Sequence, residues 1–288
     1  MLYRNSNMTI PNFLIIGDLK AGSTSLYNYL KQHPDVYMPS DIKELRYFSY
    51  DDNNSYHKRA KSTQVRTFSE YQSYFDKCEN QKAIGEASPN YLRSPIAAKN
   101  IKNQLPGVKL IVSLRNPADR MYSAYMMATR SGRIKIEFDE YCFRDNGALI
   151  KTNGYWADLI RYYDIFDDNQ IKVILFDEIK ANASGIVKDL FQFLEVDDTF
   201  EPKISVQNKG GMPKNQFVYA SMVAIKDQVK KIINPSDKLK NVWKGIKGKS
   251  LTETKIDPQI KAKILDVCKD DLLRTQALIN KDLSNWMG

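Results

Sequence analysis

Lys20, Gly22, Ser23, Thr24 and Ser25 group residue types that hold an anion. The lysine brings a full positive charge, the glycine lets the backbone turn, and the three hydroxyl residues open a helix whose first N–H groups have no intrahelical partner. Arg115 and Ser123 suggest a second anion site. An arginine grips a phosphate through two N–H donors, and a serine two helical turns further on can point back to the same place.

The elements that must position these residues follow from local pattern. Phe13 to Ile16 is a short apolar run suited to a buried strand, Gly17 and Gly22 bracket a turn, and Ser23, Thr24 and Ser25 occupy N-cap positions of a helix whose apolar face is Leu26, Tyr27 and Leu30. Lys109 to Leu114 repeats that apolar run. Asn116 is then a good N-cap and Pro117 fits the first helical position, so a second strand, turn and helix is predicted. A short helix is expected from about Ser69, a helix over Phe138 to Ile150, an amphipathic helix over Gly154 to Tyr163, a third core strand over Gln170 to Glu178 and a helix over Ile186 to Leu194. Ile256 to Trp286 reads as a terminal helix and tail packed on the core. Strands alternating with helices predict an α/β fold with a parallel sheet flanked by helices on both faces.

The place of the lysine separates two kinds of phosphate loop. A Walker loop has the form G-x-x-x-x-G-K-[ST], yet Ser23 stands where its lysine belongs and the lysine lies inside the loop at position 20. The arrangement K-x-G-[ST]-[ST]-[ST] resembles the 5′-phosphosulfate loop of sulfotransferases that use 3′-phosphoadenosine 5′-phosphosulfate (PAPS). Arg115-Asn116-Pro117-Ala118-Asp119-Arg120-Met121-Tyr122-Ser123 resembles that family's 3′-phosphate motif, R-N-P-x-x-R-x-x-S. Lys43-Glu44-Leu45-Arg46-Tyr47-Phe48 is similar to the K-E-x-x-[FY]-F signature of the carbohydrate-type branch, which includes the heparan-sulfate enzymes and their bacterial relatives. The resemblance covers about residues 10 to 210 and implies a P-loop-NTPase-like fold and PAPS as co-substrate without a metal. It implies Glu44 as the base that takes the acceptor's proton and Lys20 as the cation at the leaving phosphate. It further implies a donor site built from Lys20, Ala21, Gly22, Ser23, Thr24, Ser25, Arg115 and Ser123, with Lys209 and Gly210 closing on the 3′-phosphate. Glu86-Ala87-Ser88-Pro89-Asn90-Tyr91 resembles the cleft-lining E-x-[ST]-P-x-Y segment, with Ala87 where glycan-type members often carry lysine, and Glu86 is read as a structural anchor. His33 and His57 correspond to non-catalytic positions of the family.

At 288 residues and 42% hydrophobic the chain can bury a full core as one domain over 1–288, with a basic variable region and terminal helix after about 210. Its 43 Lys and Arg against 34 Asp and Glu leave a net charge of +9, which suits a polyanionic donor and equally nucleic acid or a membrane surface. Two other readings follow. A P-loop-like nucleotide kinase would want a magnesium-binding aspartate where this chain has Arg115. A non-catalytic anion or nucleic-acid binder would rest on charge alone. Cys78, Cys142 and Cys268 are odd in number and far apart, so they predict reduced thiols and no zinc site. The absence of a long apolar stretch predicts a cytoplasmic protein without stable membrane insertion. The expected partner is a carbohydrate or small-molecule acceptor, with no nucleic acid, and a homodimer is compatible with the sequence.

Overall fold

The computed structural model describes residues 9–51, 65–205, 212–213, 251–252 and 254–287. Its centre is a five-stranded parallel sheet in the order β2-β3-β1-β4-β5: β1 (Phe13–Gly17), β2 (Val36–Tyr37), β3 (Ala83–Ala87), β4 (Lys109–Leu114) and β5 (Ile171–Leu175). β1 is apolar throughout because it is buried on both faces, the usual condition of a strand in the middle of a parallel sheet. Phe13 pairs with Gly85 on one side and Lys109 on the other, and a Cβ at Gly85 would meet the Phe13 ring at 2.5 Å. Glycine at 85 is therefore a packing requirement.

Alternation along the strands divides the core in two. Phe13, Ile15, Ile111 and Ile174 pack with Leu26 and Leu30 of α1 (Ser23–Leu30) and with Leu190 and Phe191 of a helix over 183–193. Leu14, Ile16, Leu110 and Val112 face the opposite layer. That layer comprises α2 (Phe68–Ser73), α3 (Ala97–Gln104), α4 (Pro117–Arg130), α5 (Phe138–Lys151), α6 (Trp156–Tyr163) and the long C-terminal α9 (Pro258–Ile279). The remaining α-helices among the described residues are α7 (Phe176–Ala181), α8 (Ala183–Phe193) and α10 (Ser284–Met287), while β6 (Met212–Pro213) and β7 (Leu251–Thr252) form a separate antiparallel pair. Both faces of the sheet are thus covered, as the alternation of elements predicts.

Three local expectations are corrected. The N-cap of α1 is Gly22, at φ 101°, with no side-chain cap, so Ser23, Thr24 and Ser25 lie inside the first turn. A left-handed cap favours glycine, and a Cβ there would also sit 3.0 Å from the Phe176 ring. The helix at 138–151 is interrupted at Arg144 to Gly147, where Asp145, Asn146 and Gly147 adopt positive φ, residue types that tolerate it best. The third core strand stops at Leu175. Asp177 and Glu178 belong to the first turn of α7, where the Glu178 carboxylate accepts the Leu175 N–H at 2.7 Å and negative charge meets the positive end of the helix.

His33 is structural. It is buried, its Nδ1 accepts the Asp35 N–H at 3.0 Å, and its Nε2 lies 2.8 Å from the Asp197 carbonyl. Cys78, Cys142 and Cys268 are free thiols, the last two buried. His57, Lys209, Gly210 and the lysine-rich stretch at 219–250 lie outside the described residues.

Candidate active site

The carboxyl ends of β1 and β4 deliver two loops to one edge of the sheet, the general position for ligands in open α/β folds. The first loop, 18–22, is fixed from beneath. The Asp18 N–H donates to the Ser113 carbonyl at 2.6 Å, and the Ser113 hydroxyl returns a bond to the Gly17 carbonyl at 2.9 Å. The Asp18 carboxylate is fully buried. Arg93 grips it with Nη2 at 2.7 Å and Nε at 3.2 Å, Arg120 Nε stands 3.2 Å away, and the Leu19 N–H donates at 2.6 Å. Neither Asp18 nor Arg93 stands out by sequence reasoning. The signal available was a contradiction: an acidic residue inside an anion-binding loop repels the anion unless buried cations neutralise it.

At the start of α1 the Ser25 and Leu26 N–H groups both donate to the Gly22 carbonyl, at 2.8 and 3.1 Å, so the N–H groups ahead of them carry the positive end of the helix. Lys43 reaches the same place, with Nζ 3.0 Å from Thr24 Oγ1 and 3.4 Å from Ser23 Oγ. Burial pushes its pKa down, against the pull of Glu44. A cation at a helix N-terminus is electrostatically unfavourable by itself. The arrangement becomes favourable when an anion lies between them. Lys43 is the site residue that sequence reasoning quoted within a motif but assigned no part. Lys20 sits in the loop at φ 69°, its ammonium 3.9 Å from Met127 Sδ of α4.

The second loop behaves as its sequence predicts at the cap. Asn116 accepts the N–H groups of Ala118 at 3.1 Å and Asp119 at 3.2 Å, with Pro117 in the first turn. The two arginines then part company. Arg120 is buried and takes the structural role, pairing with Asp18 and donating to the Asn153 carbonyl at 3.0 Å. Arg115 makes no ion pair among the described residues. Its Nη1 donates to the Lys20 carbonyl at 3.2 Å, tying the two loops together, its Nε is buried without a partner, and its guanidinium lies 4.8 Å over the Phe176 ring. Burial lowers its pKa, with Asp119 and Asp177 opposing. A partly desolvated guanidinium with donors unused is what a phosphate can complete. Ser123 is half-buried in the second turn of α4.

The C-terminal tail holds the floor of this site. The Trp286 indole donates to Asp177 at 2.9 Å, Lys281 pairs with Glu178 at 2.7 Å, and the Asn116 amide donates to the Trp286 carbonyl at 3.4 Å. These contacts fix α7, whose Phe176 lies beneath Arg115 and beside Gly22.

On the other side of the α1 terminus stands Glu44. Arg46 holds its Oε2 through Nε at 3.1 Å and through Nη2, while Oε1 lies 3.7 Å from the Lys43 ammonium, beyond hydrogen-bond distance. Arg46 therefore occupies Oε2 and leaves Oε1 without a hydrogen bond from either cation. Glu86 lies behind it, fully buried on β3, its Oε2 accepting the Ser88 hydroxyl at 2.8 Å. Burial pushes the Glu86 carboxyl up from its ordinary 4.5 to about 8, with the Ser88 and Tyr91 hydroxyls opposing and Glu44 adding to the rise.

This shift sets a pH dependence of stability. Between about 4.5 and 8 the folded chain holds a proton at Glu86 that the unfolded chain has lost, so unfolding releases it. The contribution is fully present below 4.5 and fades as pH rises through 8. Thermal melts from pH 5 to 9 are expected to show wild-type stability falling relative to Glu86→Gln as pH rises, because the amide cannot ionise. Parallel curves would assign Glu86 an ordinary pKa.

No group of three or more His, Cys, Asp or Glu side chains able to hold a metal ion occurs among the described residues. No described helix is long and apolar enough to cross a membrane.

A model of the sulfotransferase domain matches residues 11–275. Over 186 residues, 62% of this chain, the sequence is 39% identical to the membrane-associated sulfotransferase kil1 of Dictyostelium discoideum, covering 35% of that protein. It is 26% identical over 212 residues to the bifunctional heparan sulfate N-deacetylase/N-sulfotransferase 4 of Mus musculus, covering 65% of this chain and 22% of the relative. The matches therefore span only part of these longer proteins. Among solved structures, a sulfotransferase from Alicyclobacillus acidocaldarius aligns over 97% of this chain and 100% of its own, with a TM-score of 0.72 and 27% identity.

Proposed function

The chain belongs to the sulfotransferase family, and on that premise we propose that it moves a sulfuryl group from PAPS to a hydroxyl or amine of a carbohydrate or small-molecule acceptor. The observation that carries this reading is the pair of basic strand-turn-helix loops joined by the Arg115 to Lys20 carbonyl bond. One loop suits a phosphate at a helix N-terminus, and the other offers an arginine with an unused buried donor. A nucleotide with phosphates at both ends of its ribose has one group for each.

In this reading Arg115 and Ser123 hold the 3′-phosphate, while the N–H groups of residues 22–24 and the Lys43 ammonium hold the 5′ group, the Ser25 N–H already donating to the Gly22 carbonyl at 2.8 Å. The acceptor oxygen or nitrogen attacks sulfur in line, Glu44 Oε1 takes its proton, and the bond from sulfur to the 5′-phosphate oxygen breaks with its electron pair leaving on that oxygen. Lys20 offsets the charge that develops there. Lys209 and Gly210 belong to the same proposal as closing residues. One domain over 1–288, a cytoplasmic location and a homodimer are further parts of it, open to limited proteolysis, cell fractionation and sedimentation.

Calorimetry with 3′-phosphoadenosine 5′-phosphate, without magnesium, tests the donor site against ATP and ADP. Removing charged hydrogen bonds worth about 1.5–3 kcal/mol should make Arg115→Ala bind it roughly 10- to 150-fold more weakly, with ADP affinity nearly unchanged. No preference for the 3′-phosphorylated nucleotide would return the chain to the kinase or generic anion-binding alternatives.

A further inference from the structure

We infer that Ser88 and Asn90 are positioning residues for Glu44, acting through the backbone of Arg46, with the buried Glu86 carboxyl as the fixed end of the chain. The proposal rests on Glu44 being the base. Arg46 is not a glycine, yet its φ is 57°, in the left-handed region. Such a conformation persists where surrounding contacts over-determine it. Here both sides of the residue are pinned from one segment. The Arg46 N–H donates to Ser88 Oγ at 2.9 Å, and that hydroxyl spends its proton on Glu86 Oε2 at 2.8 Å. The Arg46 carbonyl accepts the Ser49 hydroxyl at 3.0 Å, and Ser49 Oγ in turn accepts the Asn90 amide at 2.6 Å.

The consequence reaches the carboxylate. The left-handed turn brings the Arg46 guanidinium back on the residue two before it, where it occupies Glu44 Oε2. One oxygen is held and the other is presented. Without the two pins Arg46 is released to ordinary backbone conformations, and the carboxylate loses the restraint that separates its oxygens. Ser88 and Glu86 are fully buried, so neither serves as a ligand for an acceptor from solvent. Their reach is through Arg46.

The test uses the full chain and four variants: Ser88→Ala, Asn90→Ala, Arg46→Gly and Glu44→Gln. Hydrogen exchange should quicken over residues 43–49 in Ser88→Ala while the 17–25 loop stays as protected as in wild type. With PAPS and N-desulfated heparin as acceptor probe, kcat should fall roughly 10- to 100-fold, with KM for PAPS within about twofold. In an Arg46→Gly background Ser88→Ala should add little, since both remove one restraint. If Ser88→Ala does not fold, judged by lost 3′-phosphoadenosine 5′-phosphate binding, Asn90→Ala reads the same exchange over 43–49. Unchanged exchange there, or full additivity with Arg46→Gly, overturns the inference. Wild-type turnover in Glu44→Gln would remove the base and this positioning with it. An inactive Glu44→Gln beside a Ser88→Ala that matches wild type in exchange and rate removes the positioning alone.

Discussion

Glu44→Gln is expected to lower turnover by about 10²- to 10⁴-fold, the usual worth of a positioned general base. Binding of 3′-phosphoadenosine 5′-phosphate should stay within about twofold of wild type. The two effects separate because Glu44 touches neither anion loop directly. Its contacts are Arg46 and, more distantly, Lys43. Glutamine keeps the shape and an oxygen for Arg46, so packing around Arg46 is preserved and the lost capacity is proton acceptance. Single-turnover rates with saturating PAPS would isolate the transfer step. An unchanged rate would remove Glu44 as the base and leave it as a salt-bridged residue between two cations.

The same region measures how far sequence alone reaches. The strand and loop at 13–22 and the Asn116-Pro117 helix start were legible because each rests on local chemistry: an apolar run, a glycine, a cap, a proline. What escaped was pairing between distant segments. Asp18 finds Arg93 across 75 residues, and Arg46 finds Ser88 across 42. Nothing in the spacing of either pair predicts it, because the fold brings β3 beside β1 and so delivers their loops to one edge. Hydroxyls at 23–25 were misread as caps for a related reason. A left-handed Gly22 leaves them inside the helix, where Lys43 reaches the hydroxyls of Ser23 and Thr24.

Arg93→Ala is expected to be the most destabilising of the single changes considered. Asp18 is fully buried, and Arg93 supplies two of the three arginine contacts to it, the shortest at 2.7 Å among them, while also pairing with Asp158 at 2.9 Å and donating to the Gly154 carbonyl at 3.2 Å. Removing it leaves a buried carboxylate with the Leu19 N–H and a single cation, Arg120, itself engaged by Asn153. Breaking one side of a buried pair costs about 3–5 kcal/mol. For a chain this long each kcal/mol moves the midpoint by roughly 2–4 °C, so a fall on the order of 10 °C is expected in a thermal melt. An exposed pair supplies the contrast. Lys77 and Asp41 lie 3.4 Å apart but their side chains are 76% and 74% exposed, and Lys77→Ala should leave the midpoint nearly unchanged. Adding Asp18→Asn to Arg93→Ala should recover part of the loss, because the neutral amide removes the uncompensated charge. No recovery would mean that the loss came from packing and from the carbonyls that Arg93 holds at 152 and 154, and the electrostatic account of the loop would fall.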